Sequence, residues 1–160
     1  MVIYCDGGSA NDRGISSRAY YSIRKGSDEV EVHDTLATSN EAEWKGLICA
    51  LFNLIGTHEP AIVRMDSELV YRQMLGTYKV RSSRLAELHA IASRLLHVLG
   101  ESHTPTTLEL VPREENQAHV VMAEPLPTNG LEDILKYLGI LESFITGESN
   151  MSLRNEWETE

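Results

Sequence analysis

The chain predicts an α/β domain built on a mixed five-stranded sheet, with three antiparallel strands first and parallel ones after, and then a tail. Three observations carry this. Up to about residue 37, apolar and polar positions alternate at a period of two, with no helical stretch. From about residue 40 onward, helical and strand-like segments take turns, the pattern that builds parallel crossovers. The chain has 160 residues and 42% hydrophobic content, enough for one core and too little for two large domains. The expected division is therefore a domain over 1–126 and a helix with an acidic tail over 127–160.

Taken in order, VIYCD (2–6), SRAYYSIR (17–24) and EVEVHDTLA (29–37) read as strands, the last two joined across KGSD as a hairpin. A helix follows from about 40 to 55. Leu47, Ile48, Leu51, Leu54 and Ile55 recur at three-and-four spacing, and Gly56 and Pro60 close the segment. AIVRMD (61–66) is a strand reached through a helical crossover, hence expected parallel to the first. SELVYRQML (67–75) makes a short helix ended by Gly76. Ser82 or Ser83 caps a long helix over 82–99, with Leu85, Leu88, Ala92, Leu95, Leu96 and Leu99 along one side. TTLELVP (106–112) is the fifth strand and ENQAHVVMA (115–123) a helix start. The order is βββαβααβα. After PLPTNG breaks the chain, Leu131, Ile134, Leu135, Leu138, Leu141 and Ile145 space a further helix, expected to dock on the core or on another copy of the chain as a homo-oligomer.

The net charge of −10 is unevenly placed. Residues 1–114 hold 15 acids against 12 bases, whereas residues 115–160 hold 9 against 2, so the acidity belongs mostly to the tail. Residues 69–86 contain Arg72, Lys79, Arg81 and Arg84 and no acid, a local basic stretch that fits nucleic-acid phosphates. No segment reads as a signal peptide or a membrane span, and Cys5 and Cys49 lie in apolar surroundings, so a reducing, cytoplasmic setting and no membrane partner are expected.

Glu43 sits four residues before Leu47 on the stripe that the helix should bury, where a carboxylate is costly unless something positive meets it. Glu41 lies off that stripe and follows Thr38 at capping-box spacing, an ordinary structural reading that leaves it solvated. Asp6 ends the first strand segment and is followed by GGS, while Asp66 ends the fourth and precedes a helix. Singly, either aspartate reads as a turn former or a cap. Together, with the Glu43 helix packed across the first and fourth strands, they bring three carboxylates to one end of the sheet, where open α/β sheets keep their sites. Three unpaired anions repel by several kcal/mol. Divalent cations resolve this, and hard oxygen ligands suit Mg²⁺ or Mn²⁺. The six histidines show no zinc-like spacing, GGS lacks the Gly-Lys-Ser/Thr of a phosphate loop, and no nucleophile-elbow sequence is present. Trp44 and Trp157 read as packing groups.

In this order and spacing, IYCDGGS, TSNEAEWKGLICAL, VRMDSELVYRQM, YKVRSSRLAELHAIASRLL and LVPREENQAHVVMA resemble type 1 ribonuclease H in its archaeal and bacterial form, from residue 2 to about 125. The resemblance implies helices on both faces of the sheet. It implies that Asp6, Glu43 and Asp66 bind two Mg²⁺ ions, with Mn²⁺ able to substitute. These hydrolyse the RNA strand of an RNA/DNA hybrid and leave 5′-phosphates. It further implies that Gly7, Gly8, Ser9, Ser39 and Asn40 face the hybrid's minor groove, where the 2′-hydroxyls are displayed. Lys79, Arg81 and Arg84 would then lie near the DNA strand's phosphates.

One departure stands out. Counting from Asn116, the place of the family's fourth aspartate is Val120. His119 lies one residue earlier, a rotation of about 100° on a helix, so it reaches the site only if the helix starts late or carries a bulge. Valine can neither ligate metal nor move a proton, so a weakened, Mn²⁺-preferring enzyme is expected. Two alternatives stay open: a degenerate fold that only binds nucleic acid or protein, and a related nuclease with a DNA substrate. Retention of all three acids favours an enzyme.

Overall fold

A computed structural model describes residues 1–12, 16–25, 28–35, 38–118 and 130–146. Strand β1 (Val2–Asp12) pairs antiparallel with β2 (Ser16–Lys25), which pairs antiparallel with β3 (Asp28–Thr35). Helix α1 (Ser39–Asn53) crosses to β4 (Ala61–Met65), which runs parallel to β1. Helices α2 (Glu68–Met74) and α3 (Ser83–Glu101) lead to β5 (Thr106–Leu110), parallel to β4. The sheet order is β3-β2-β1-β4-β5. The chain divides into two compact units, Met1–Thr128 and Asn129–Glu160; in the second, α4 (Gly130–Thr146) is the helix expected from the apolar spacing. Among the described residues, no helix is long and apolar enough to cross a membrane.

The helix starts follow the expected capping chemistry. Thr38, Ser67 and Ser82 are the N-caps of α1, α2 and α3, each accepting a backbone N–H three residues on. Gly56 and Gly76, after α1 and α2, have φ of +88° and +79°, the left-handed conformation in which a residue without Cβ is unstrained. Along β4 the burial alternates strictly, with Ala61, Val63 and Met65 inward against Ile3 and Cys5 of β1. Trp44, Leu47, Ile48 and Leu51 on α1 and its C-cap Leu54 are buried, as are Leu95 and Leu99 on α3. In the first unit α1, α2 and α3 pack on one another, α1 lying on β1, β2 and β4.

Two boundaries differ from the expectation in ways that matter for the site. The first strand does not end at Asp6: it continues through Gly-Gly-Ser to Asp12, because β2 pairs with it along its whole length, from Ile3↔Lys25 to Asp12↔Ser16. Cross-strand pairing here overrides glycine's low strand propensity. Its parallel partner β4 accompanies β1 only from Val2↔Ile62 to Tyr4↔Arg64, so Asp6 lies just past the point where the sheet steps down. The helix expected from 115 also does not begin there. Arg113–Glu115 is a single 3₁₀ turn, and Asn116 is extended, its Oδ1 accepting from Ala118 N at 3.0 Å. An asparagine that bonds its own backbone two residues on competes with helix at that position.

Candidate metal centre

Three elements deliver the three acids. Asp6 comes from β1 beyond the β4 ladder, Asp66 directly follows β4 ahead of the Ser67 cap, and Glu43 comes from the second turn of α1. Gly7 sets the third placement. A Cβ built at Gly7 would collide with the Ala42 carbonyl and lie 2.7 Å from Glu43 N, so the missing side chain is what lets α1 press onto β1. Asp6, Glu43 and Asp66 each present an oxygen within 4.8 Å of the others. Among the described residues this is the one group of three or more His, Cys, Asp or Glu side chains arranged to hold a metal ion.

The electrostatics are those of acids that neighbouring side chains do not balance. Burial, reinforced by the charges of Asp6 and Asp66, pushes Glu43 up to about 9 from its ordinary 4.5. Burial and the neighbouring Asp66 push Asp6 up to about 6 from 3.8, against the Gly7 backbone hydrogen bond and the charge of Arg113, which pull it down. Arg113, exposed on the 3₁₀ turn, also lowers Glu43. One exposed guanidinium does not offset three carboxylates, whereas a hard divalent cation would, and the donor set fits one.

This has a measurable sign. Both carboxyls hold their protons more tightly folded than unfolded, so their contribution to stability is complete below about pH 4 and is lost as pH rises through about 6 for Asp6 and about 9 for Glu43. The melting temperature of the metal-free protein should therefore fall between pH 5.5 and 9, and a saturating divalent cation should largely restore it at the upper end. A melting temperature that is flat over this range without metal and indifferent to cation at pH 9 would contradict the cluster.

Around the acids the remaining expected residues divide. Gly7 is buried against α1, and Gly8 beside it is partly exposed. Ser39 and Asn40 are exposed on the first turn of the helix that carries Glu43. The side chain of Ser9, and His119 and Val120 altogether, lie outside the described residues. Lys79, Arg81 and Arg84 are exposed between α2 and the start of α3. The basic stretch is less free than its composition implies: Arg72 Nε lies 3.5 Å from Glu68, and Arg84 Nη1 3.5 Å from Glu41. Glu41 is consequently not solvated. It is buried and faces Arg84 while its backbone takes the Thr38 cap. A capping box would turn the Glu41 carboxylate back toward the Thr38 N–H, whereas here its Oε1 faces Arg84 Nη1.

Two residues near the site were not singled out as part of it by sequence. Arg113 is the positive charge felt by Asp6 and Glu43. Asn116 is buried; its Nδ2 donates to Cys5 O at 2.9 Å and to Asp66 Oδ1 at 3.4 Å. It thereby fills the first backbone position that β4 leaves open on β1, and holds one of the three acids. The signal available in the sequence was an asparagine directly after an expected strand and turn, which only the spatial return of that segment to β1 makes informative.

The sheet order with three converging carboxylates at the step between β1 and β4 defines a ribonuclease H-like domain. The chain belongs to the reverse transcriptase-like family, whose description matches residues 6–124. It is 33% identical over 128 residues to the bifunctional protein Rv2228c of Mycobacterium tuberculosis; that match covers 72% of this chain and 32% of the relative, so the chain spans about a third of its length. Among solved structures it is similar to the N-terminal RNase H domain of Rv2228c, with 32% identity and a TM-score of 0.58 over 72% of this chain and 88% of that one. It is also similar to LC11-RNase H1 in complex with an RNA/DNA hybrid, at 30% identity and a TM-score of 0.58 over 72% and 88%. RNase H1 of the halophilic archaeon Halobacterium salinarum matches at 28% identity and a TM-score of 0.56, again over 72% and 88%.

Proposed function

We propose that this chain hydrolyses the RNA strand of RNA/DNA hybrids in a reaction that depends on two divalent cations, Mg²⁺ in the first place, and leaves 5′-phosphates. The observation that carries the reading is the convergence of Asp6, Glu43 and Asp66, with oxygens within 4.8 Å and two of the three carboxyls holding their protons far above the ordinary range. In this reading Asp6 and Asp66 would hold one cation, and Asp6 with Glu43 the other. Cations held there would supply an activated water and stabilise the charge that develops on the leaving 3′-oxygen. Asn116 keeps Asp66 oriented. Ser39 and Asn40, exposed at the start of the same helix, offer hydrogen bonds to sugar hydroxyls, and Lys79 and Arg81 offer charge to the phosphates of the second strand. Incubation of a labelled hybrid with the protein in Mg²⁺ and in Mn²⁺ tests this; no cleavage in either metal rejects it.

Val120 favours a second reading, a domain that binds nucleic acid without cutting it. The two separate on one substitution. With three carboxylates, the second cation is held weakly and turnover in Mg²⁺ is low; Mn²⁺, which tolerates poorer geometry, rescues it. Val120→Asp should then raise the rate in Mg²⁺ by about tenfold, ~1.4 kcal/mol of barrier, and by less in Mn²⁺. His119→Ala in the same assay shows whether the histidine carries any of the role. A parent without activity in either metal and a Val120→Asp variant without gain would leave the binding domain as the reading.

A further inference from the structure

Gln73, near the end of α2, is buried to 4% exposure, and both ends of its amide are used. Its Oε1 accepts from the indole Nε1 of Trp44 at 3.1 Å, and its Nε2 donates to the backbone carbonyl of Lys79 at 3.3 Å. Only this amide orientation satisfies both partners, since indole N–H can only donate and a carbonyl can only accept. An apolar side chain of the same length would fill the space but leave the buried Trp44 indole N–H and the Lys79 carbonyl without these partners, so Gln73 ties the two segments together.

The two partners are not equivalent. Trp44 is completely buried, directly follows Glu43 in α1, and meets His89 of α3 edge-on at 5.6 Å. Lys79 lies on the exposed basic segment between α2 and α3, whose start is fixed by Thr77 N and Tyr78 N on Arg72 O. Lys79 and Arg81 are the charges of that segment for which no acid stands opposite among the described residues. The path from this exposed segment to the carboxylate on α1 is therefore Lys79 main chain, Gln73 amide, Trp44 indole and Glu43.

We propose that Gln73 is a positioning residue that couples occupation of the basic segment to the placement of Glu43. This rests on the reading of the chain as a hybrid-cleaving enzyme. A strand of nucleic acid drawing on Lys79 and Arg81 shifts the Lys79 carbonyl, Gln73 passes the shift to the indole, and the α1 turn carrying Glu43 settles against its partners. Binding energy from a remote contact is in this way spent on alignment at the reacting centre.

The test uses the full chain with Trp157→Phe, which leaves Trp44 as the one fluorophore of its kind. Labelled RNA/DNA hybrid is titrated without divalent cation, with anisotropy reporting binding and Trp44 emission reporting the indole. The expected result is an emission change with the same midpoint as the anisotropy. It should be absent at saturation in Gln73→Met and in Lys79→Ala/Arg81→Ala. With metal, Gln73→Met should lose about tenfold in kcat at an affinity near the parent's. Binding without an emission change in the Trp157→Phe protein overturns the proposal, and so does a change that persists at saturation in Lys79→Ala/Arg81→Ala. A Gln73→Met protein that folds and keeps the parental kcat also overturns it. Should Gln73→Met not fold, the two emission results decide alone. Absence of hybrid binding in the parent instead rejects the proposed function, and the coupling falls with it.

Discussion

Gly7→Ala should cost the protein about 3 kcal/mol or more and, in whatever fraction folds, lower activity by about 10²-fold although every carboxylate is still present. The added methyl meets the backbone of Ala42 and Glu43, not the end of a side chain that could swing aside. Either α1 moves off β1, which carries Glu43 away from Asp6, or β1 buckles beside Asp6 itself. The discriminating measurement is cation affinity in the folded variant, by calorimetry. If Gly7 mattered only as flexible backbone near a ligand, affinity would be unchanged and only hybrid binding would fall. A variant as stable and active as the parent would mean that the approach of α1 to β1 is looser than the structure has it.

Glu43→Gln should have the opposite balance. Removing the carboxyl that burial and two neighbouring anions penalise stabilises the metal-free fold, by about 1–3 kcal/mol at pH 7, and the gain grows toward pH 9. Hydrolysis should fall by about 10³-fold or more, ~4 kcal/mol of barrier, because the amide has half the acceptor oxygens and no charge for a cation. A protein that becomes stabler as it becomes inert separates a functional anion from a structural one. Substantial activity in Glu43→Gln would remove the residue from the site, and a drop in metal-free stability would mean that its carboxylate has a partner within the fold.

The element order through β5 and the convergence of Asp6, Glu43 and Asp66 were readable from periodicity, caps, and a carboxylate on an otherwise apolar stripe. What was not readable depended on partners distant in sequence. Nothing local says that Gly7 and Gly8 continue a strand, since β2 supplies the reason; nor that Gly7 is bare for the sake of Ala42. The basic stretch looked uniform because its neutralising acids, Glu41 and Glu68, lie outside it. The contacts of Asn116 and Gln73 were hidden for the same reason. An amide has no charge and little periodicity to betray it, and its importance lies in the groups it joins.

The step in the sheet also bears on the order in which the chain assembles. The β1–β2–β3 meander is made of neighbouring segments, whereas the β1–β4 ladder and the three acids require residues 6, 43 and 66 to meet across a helical crossover. Contacts between distant segments close late, after the loop entropy between them has been lost. The mutual repulsion of the carboxylates is accordingly expected only once β1 and β4 have paired, and folding and unfolding rates of the metal-free protein would show it as faster unfolding at an unchanged folding rate. An interaction absent from the transition state changes the rate of leaving the native state more than the rate of reaching it. A cation seated between these acids would thus act as a brake on unfolding, slowing it by the same factor by which it raises equilibrium stability while leaving the folding rate unchanged.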